Sequence, residues 1–404
     1  MPEIVKSKSP FYPGQPVPVE LFVGRASQIG RIMQRGVGQV ASGKPVALYI
    51  QGEYGIGKSS IAAFVQWLAE RDHGLHPIYA PLGAARTLDG VGAAILDATI
   101  RSGALNPGRS EKLRNWLAKY IGEQSLFGTI TIHAEALGQD APSVAKGILP
   151  FLGEVYVRLK DTGVKGLFVV LDEINGVTED PQFAHFIKGI VDTNAMSREP
   201  LPLLLTLSGV EERRREMIRN YQPIDRIFDV IEIAPMTDSE MKEFFTRAFE
   251  SVQMKVEKEA MDILIHFSAG FPKIMHLVGD AAYWIDRDGV VDDEDAYDAV
   301  LAAAEDVGKK YVDQQVYRAL RSEDYRSILR KIGSLSASSM SFRKSEVVTR
   351  LTDAEKRKFS NFLNKMKRLH VLRSGDVPGE YVFNVRMVRL YIRLRSVQRQ
   401  NQKS

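Results

Sequence analysis

Gly52-Glu53-Tyr54-Gly55-Ile56-Gly57-Lys58-Ser59 satisfies G-x-x-x-x-G-K-[ST] at every fixed position. The motif lies between an apolar run, Val46 to Ile50, and an amphipathic stretch, Ser59 to Glu70, in which Ile61, Phe64, Val65 and Leu68 recur at helical spacing. A chain built this way is committed to a strand, a tight loop and a helix, in that order. Glycines let the loop turn its backbone N–H groups inward, and the helix that follows aims its positive end at the same point. The loop is therefore a phosphate cradle. Lys58 is expected to reach the β and γ phosphates of a nucleoside triphosphate, and Ser59 to offer its hydroxyl to Mg²⁺. Gly52, Gly55, Gly57 and Ser60 are expected to line the phosphates.

Short apolar runs recur at Pro77 to Pro81, Leu167 to Leu171, Leu203 to Leu207 and Val230 to Ile233, separated by helical patterns such as Leu88 to Ser102 and Ala145 to Lys160. Such alternation predicts an α/β fold, a parallel sheet covered by helices. Leu126 to Leu137 alternates apolar and polar residues and reads as an inserted hairpin. The run from Gly166 ends on two adjacent carboxylates, Asp172 and Glu173. Placed after a complete phosphate loop, they fit a division of labour: Asp172 organises Mg²⁺ and its water, and Glu173 is the general base that polarises the attacking water.

With 404 residues the chain has room for two or three cores. Its hydrophobic content of 44% and charged content of 26% argue against a largely disordered or fibrous chain. The apolar stretches are of strand length, so no membrane span is expected. There is no cysteine, which removes disulfides and thiolate zinc sites and suits a reducing cytoplasm. Pro10, Pro13, Pro16 and Pro18 stand too close together for a helix, making residues 1–20 an extended arm. Charge is uneven: residues 310–404 hold 22 Lys or Arg against 8 Asp or Glu, a balance of +14, whereas residues 1–309 hold 32 against 42, a balance of −10. The basic surface belongs to the C-terminal quarter.

Over residues 21–285 the sequence resembles the AAA+ superfamily, and within it the STAND signal-transduction ATPases and the related origin-recognition initiators. Beyond the phosphate loop, the resemblance rests on three features. Leu21-Phe22-Val23-Gly24-Arg25 is similar to the hydrophobic-Gly-Arg box that precedes the loop and lies near the adenine, which implies nucleotide contacts for Gly24 and Arg25. The run Leu203 to Leu207 ends at Ser208, where the superfamily places a polar sensor of the γ-phosphate. Ser268-Ala269-Gly270-Phe271-Pro272-Lys273 resembles the Gly-x-Pro motif of the lid, which implies that Pro272 touches the base and that Lys273 reaches the phosphates. Three helices, Asp238 to Ser251, Glu257 to Ala269 and Lys273 to Asp286, then form the lid. Arg226 resembles in position the arginine finger inserted into a neighbouring subunit, with Arg219 the alternative. Such a finger would stabilise transition-state charge in trans.

The last quarter reads as a winged helix-turn-helix: helices Asp324 to Ile332 and Lys344 to Leu351, a third helix opened by the capping box Thr352-Asp353-Ala354-Glu355, then a hairpin from Val371 to Phe383. Lys356, Arg357, Lys358, Lys365 and Arg368 lie on the outward side of the third helix, where nucleic acid would be met, and Arg386, Arg389 and Arg393 form a stripe on a terminal helix. A protein-contacting winged helix is the other reading of that face.

The sequence thus predicts an extended arm (1–20), an AAA+ nucleotide-binding domain (21–235), a helical lid (236–309) and a basic winged-helix domain (310–404). The expected function is a switch that binds and hydrolyses ATP in the presence of Mg²⁺, coupling ATP or ADP to homo-oligomer formation and to duplex DNA. A STAND signalling ATPase, such as one directed against invading genetic elements and acting through a separate effector protein, is the alternative. A nucleotide-binding scaffold without hydrolysis is a third.

Overall fold

The computed structural model of the protein describes residues 6, 8–14, 22–102, 107–121, 147–309, 316, 318, 320, 322–335, 341–369, 371–375, 377–384 and 386–401. The hairpin expected between Leu126 and Leu137 lies outside the described residues. The chain divides into two compact units, Pro16–Ala234 and a second made of Met1–Gln15 with Pro235–Ser404.

The first unit is built on five parallel strands: β1 (Val46–Gln51), β2 (Leu75–Pro81), β3 (Gly166–Asp172), β4 (Leu203–Gly209) and β5 (Asp229–Glu232), in the spatial order β2-β3-β4-β1-β5. Parallel strands covered on both faces need continuous apolar sequence, and every residue of β3 and β4 is buried. The register aligns their carboxyl ends. Gln51 lies opposite Gly209 and Glu232, Leu171 opposite Leu207, and Asp172 opposite Pro81, so the loops after β1, β3 and β4 leave from one edge. Ligands of open α/β sheets bind at that edge.

The Lys58–His73 helix fastens the loop after β1 to the sheet. It ends at Gly74, whose φ of +71° closes the helix in the left-handed region. Midway, the buried Gln66 amide donates to the carbonyls of Ile78 on β2 (3.2 Å) and Phe168 on β3 (2.8 Å). On its other side, Phe22 stacks on Phe64 with ring centroids 4.4 Å apart.

In the second unit, the helices Asp238–Glu250, Lys258–Ser268, Pro272–Ile285 and Asp293–Val307 pack together around a short parallel pair, β6 (Lys255–Val256) and β7 (Val290–Val291). The N-terminal arm docks on these helices. Phe11 is 4% exposed, with its ring 5.0 Å from that of Phe249 and 5.9 Å from that of Phe244. Lys6 pairs with the buried Asp286 at 3.2 Å.

Three further helices, Glu323–Gly333, Lys344–Val348 and Asp353–Arg368, share a core with an antiparallel sheet in the order β8-β10-β9, from β8 (Ser341–Arg343), β9 (Leu372–Ser374) and β10 (Glu380–Phe383). The Asp353–Arg368 helix opens on the reciprocal bonds of its capping box: Thr352 Oγ1 accepts from the Glu355 amide, and Glu355 Oε2 accepts from the Thr352 amide at 2.7 Å.

One expectation needs correction. Arg389 and Arg393, on the terminal helix Arg386–Asn401, are not a nucleic-acid-facing stripe. Arg389 is 5% exposed and donates to the carbonyls of Gly333 and Leu335 at 3.1 Å, and Arg393 donates to Leu335 at 3.3 Å. These carbonyls close the Glu323–Gly333 helix, whose end attracts cations and needs donors. The side chain of Arg386 lies outside the described residues.

Candidate nucleotide site

The loop Gly52–Ser59 leaves β1 and enters the Lys58–His73 helix at its N-terminus. Two backbone constraints explain its glycines. Gly57 takes φ +96°, a left-handed conformation that side chains resist, at the turn into the helix. Gly52 is needed for closeness: a Cβ there would stand 2.9 Å from Ile56 Cγ2 and 3.0 Å from the Ile233 carbonyl oxygen. Lys58 Nζ spans the loop mouth, donating to the carbonyls of Gly52 and Glu53 at 2.9 Å. Burial pushes its pKa below the ordinary lysine value, opposed by the carboxylates of Asp172, Glu53 and Glu173. An ammonium so placed gains from an anion.

The carboxylates at the end of β3 stand in different surroundings. Asp172 is 3% exposed, and its Oδ2 accepts from the Ser59 hydroxyl at 2.6 Å and from the Tyr79 hydroxyl. Glu173 is exposed and holds φ +56°, a conformation a glutamate adopts only at a cost. Its Oε2 would lie 2.5 Å from a Cβ on Gly83, so the absence of a side chain at 83 leaves the carboxylate its place. Ser208, at the end of β4, is fully buried, and its Oγ has no hydrogen-bond partner among the described residues. Its carbonyl holds the loop after β3 through the Ile174 amide at 3.4 Å. Buried hydroxyls are normally satisfied, and an orphaned one at this edge is an available donor.

Arg25 is buried, with φ +64°, and its guanidinium donates to the Ala234 carbonyl and, at 3.1 Å, to the carbonyl of Ile56 within the phosphate loop. Gly24 precedes it with φ +75°.

Two solved structures share this architecture. The Walker-type ATPase of Pyrococcus abyssi matches with a TM-score of 0.58 over 92% of this chain and 96% of its own, at 18% identity. The ORC2 protein of Aeropyrum pernix, solved as ADPNP–ADP complexes, matches with a TM-score of 0.58 over 94% of this chain and 95% of its own, at 12% identity. The fold is the one that these two proteins have, a five-stranded parallel sheet flanked by helices. No protein-family model matches the chain, and no curated protein matches it.

Beside this sheet the arginines after β4 separate into two groups. Arg213 pairs with Glu216 at 2.9 Å, Arg214 with Asp225 at 2.5 Å and Arg215 with Glu211 at 2.6 Å. Arg219, in the last turn of the Glu211–Asn220 helix, and Arg226, in the 3₁₀ turn Gln222–Ile227, are exposed and make no ion pair among the described residues.

Pro272 and Lys273 lie in the second unit. Pro272 opens the Pro272–Ile285 helix and Lys273 is exposed on its first turn. Gly270, at φ +80°, packs against Pro235 and Met236, where a Cβ would stand 2.6 Å from the Met236 carbonyl oxygen. In the C-terminal part, Lys356, Arg357, Lys358 and Arg368 are exposed on the Asp353–Arg368 helix. Lys356 pairs with Asp353 at 3.2 Å and Lys358 with Asp324 at 2.6 Å. Lys365 and Arg368 line a hollow of about 740 Å³ with Tyr325, Asn361, Asn364 and Lys367.

Sequence reasoning missed Tyr79 and Gln66. Tyr79 gives only a faint signal, a hydroxyl-bearing ring two positions before the end of a strand that neighbours the carboxylate strand. Gln66 gives a better one, a polar residue on the apolar side of an amphipathic helix.

Proposed function

We propose that the protein is a Mg²⁺-dependent ATPase that uses nucleotide state to switch its association with itself and with duplex DNA. The observation that carries the reading is the bond from Ser59 to Asp172 at the foot of the phosphate loop. With its O–H donated in a hydrogen bond to Asp172, Ser59 Oγ keeps lone pairs free for a cation. A hydroxyl beside a carboxylate is the hard-oxygen donor set that Mg²⁺ takes together with phosphate oxygens and water. Ser59 and Asp172 would hold the ion, which when bound neutralises charge on the β and γ phosphates.

Around it, each residue has a distinct task. Lys58 moves from the loop carbonyls to the phosphates, and the amides of the loop, with Ser60, line them. Glu173 polarises water, and its strained backbone is the sort of cost retained where orientation matters. Ser208 donates to the γ-phosphate or to the attacking water. Gly24 and Arg25 support the loop from below, Arg25 through the Ile56 carbonyl. Pro272 would touch the base and Lys273 the phosphates, as the resemblance implies, and Arg226 or Arg219 would enter a neighbouring subunit's site.

The C-terminal part, read as a winged helix, would meet duplex DNA through Lys356, Arg357, Lys358, Lys365 and Arg368. The hollow beside Lys365 adds two carboxamides, groups suited to base edges, to a set of cations suited to phosphates. A protein partner, as in STAND signalling, is the second reading. It is favoured by the pairing of Lys356 and Lys358 with carboxylates of their own domain, which lowers the net charge of the face.

Phosphate release from ATP with and without Mg²⁺, DNA and excess EDTA tests the reading. Metal-dependent release is expected. A protein that binds no ATP in calorimetry would overturn it.

A further inference from the structure

We infer that Tyr79 is the positioning residue of Asp172, an inference that rests on the ATPase reading above. Along the paired strands, Tyr79 lies opposite Val170, and Asp172 lies opposite Pro81. The phenol bridges that offset of two residues, and its hydroxyl reaches Asp172 Oδ2, the oxygen that also accepts from Ser59. Asp172 Oδ1 accepts no hydrogen bond from the described residues.

The terminal torsion of an aspartate is broad and close to two-fold, so a single hydrogen bond does not fix its carboxylate plane. Two donors converging on one oxygen do. Tyr79 thus keeps Oδ2 aimed at Ser59, so that the Ser59 O–H stays hydrogen-bonded to the carboxylate and its lone pairs would remain available to a cation. Oδ1 would be left to accept from water. Partners of this kind act behind the ligands of a metal and set their orientation. The Tyr79 hydroxyl also lies within hydrogen-bonding reach of Ser59, and the route assigned to it here is the one through Asp172.

The test uses Mn²⁺ as the probe, with ATP, in full-length protein carrying Glu173→Gln so that nothing turns over. Bound Mn²⁺ is read by electron paramagnetic resonance. Tyr79→Phe keeps the ring and removes the donor. It is expected to weaken Mn²⁺ binding to the ATP complex by about tenfold while leaving ATP affinity in EDTA unchanged. In protein that also carries Asp172→Asn, the same change should alter Mn²⁺ affinity by less than about twofold, since residues acting through one another are not additive. Equal Mn²⁺ affinity with Tyr or Phe at position 79 overturns the inference. So does an equal loss of metal-free ATP affinity, which would make Tyr79 a packing residue of the loop. A tenfold effect that persists with Asp172→Asn overturns the route through Asp172. If the Tyr79 parent binds no Mn²⁺ in an ATP-dependent manner, the ATPase reading falls with it, whereas the other outcomes leave that reading standing.

Discussion

A Cβ on Gly279 would stand 2.3 Å from the ring of Phe11, so the arm packs on the Pro272–Ile285 helix only because position 279 has no side chain. The contact predicts a change of sign. Gly279→Ala should destabilise the protein by about 1–3 kcal/mol, because the ring must move out of a packed site. In a Phe11→Ala background the obstruction is gone, and the same substitution should stabilise by up to about 1 kcal/mol through helix propensity. Phe11→Ala alone should cost about 3–5 kcal/mol, the usual range for emptying a buried phenylalanine site. Denaturant unfolding of the four proteins in this cycle decides it. Destabilisation by Gly279→Ala in both backgrounds would mean that Phe11 is not what position 279 accommodates.

How much of this was legible follows from the range over which each feature acts. The phosphate loop and the pair Asp172–Glu173 are local signals, and each lies on the strand end or loop that its own few residues dictate. The expected parallel strands lie within two residues of the observed ones for the same reason, and the sheet order then brings Asp172 beside Ser59. Contacts between distant segments were not legible. Nothing near Phe11 says that it fills a gap at Gly279, nor does anything near Tyr79 point to Asp172. Strand β8 is three residues long, too short to show a period, and is recruited only by pairing with β10. Arg389 was misread because charge alone argues for exposure. Its partners are carbonyls that become available only where another helix ends.

Lys58→Ala should abolish tight ATP binding, since it removes the one side-chain cation of the phosphate loop. Calorimetric titration checks it, and unchanged affinity would remove the loop from the argument.

Glu173 allows a separation of stability from activity. Glu173→Gln should retain ATP binding and lose turnover, because the amide cannot take a proton from water. Glu173→Gly should also lose turnover, yet be neutral or more stable by up to about 1 kcal/mol, because glycine accepts a positive φ without strain. Thermal melting beside a phosphate-release assay measures both. A destabilised glycine variant would show that the side chain supports the fold.

Arg226→Ala should leave ATP binding nearly intact and slow hydrolysis. Mixing it with Lys58→Ala protein should restore part of the activity, since some interfaces then join an intact loop to an intact arginine. If Arg219→Ala shows the rescue and Arg226→Ala does not, the finger is Arg219. If neither does at any ratio, action in trans is wrong.

Two buried histidines should make the protein lose stability in mild acid. Burial depresses the pKa of His276 to about 4, and burial, with Arg109 nearby, depresses that of His76 to about 3. Below pH 6.5 the unfolded chain binds protons that the folded one refuses, so stability falls as pH falls towards these values. His276 Nδ1 accepts from the Tyr12 amide at 3.1 Å, which requires the neutral ring. The His276 contribution between pH 7.5 and 4.5 should be a loss of about 2–3 kcal/mol. His276→Gln should remove that part of the slope, as read from guanidinium unfolding at the two pH values. An unchanged slope would mean that the folded state protonates His276 readily.

The DNA reading is tested best by substitution rather than by truncation before residue 310. A Cβ on Gly308 would stand 2.2 Å from the Tyr391 ring, so the terminal helix packs against the end of the Asp293–Val307 helix, and removing it would expose apolar surface. Lysines 356, 358 and 365 offer a gentler change. Because Lys358 pairs with Asp324 at 2.6 Å, charge reversal would set two carboxylates against each other, and glutamine is the better replacement. Exposed pairs of this kind contribute at most about 1 kcal/mol, so the triple variant Lys356→Gln, Lys358→Gln, Lys365→Gln should remain folded. If each lysine neutralises a phosphate, the slope of log affinity against log salt should become shallower by about 2–3 for the triple variant. Duplex binding across a salt series in ATP and in ADP provides the measurement. A slope identical to that of the unmodified protein would mean that this face does not meet DNA, and would leave a protein partner as its ligand.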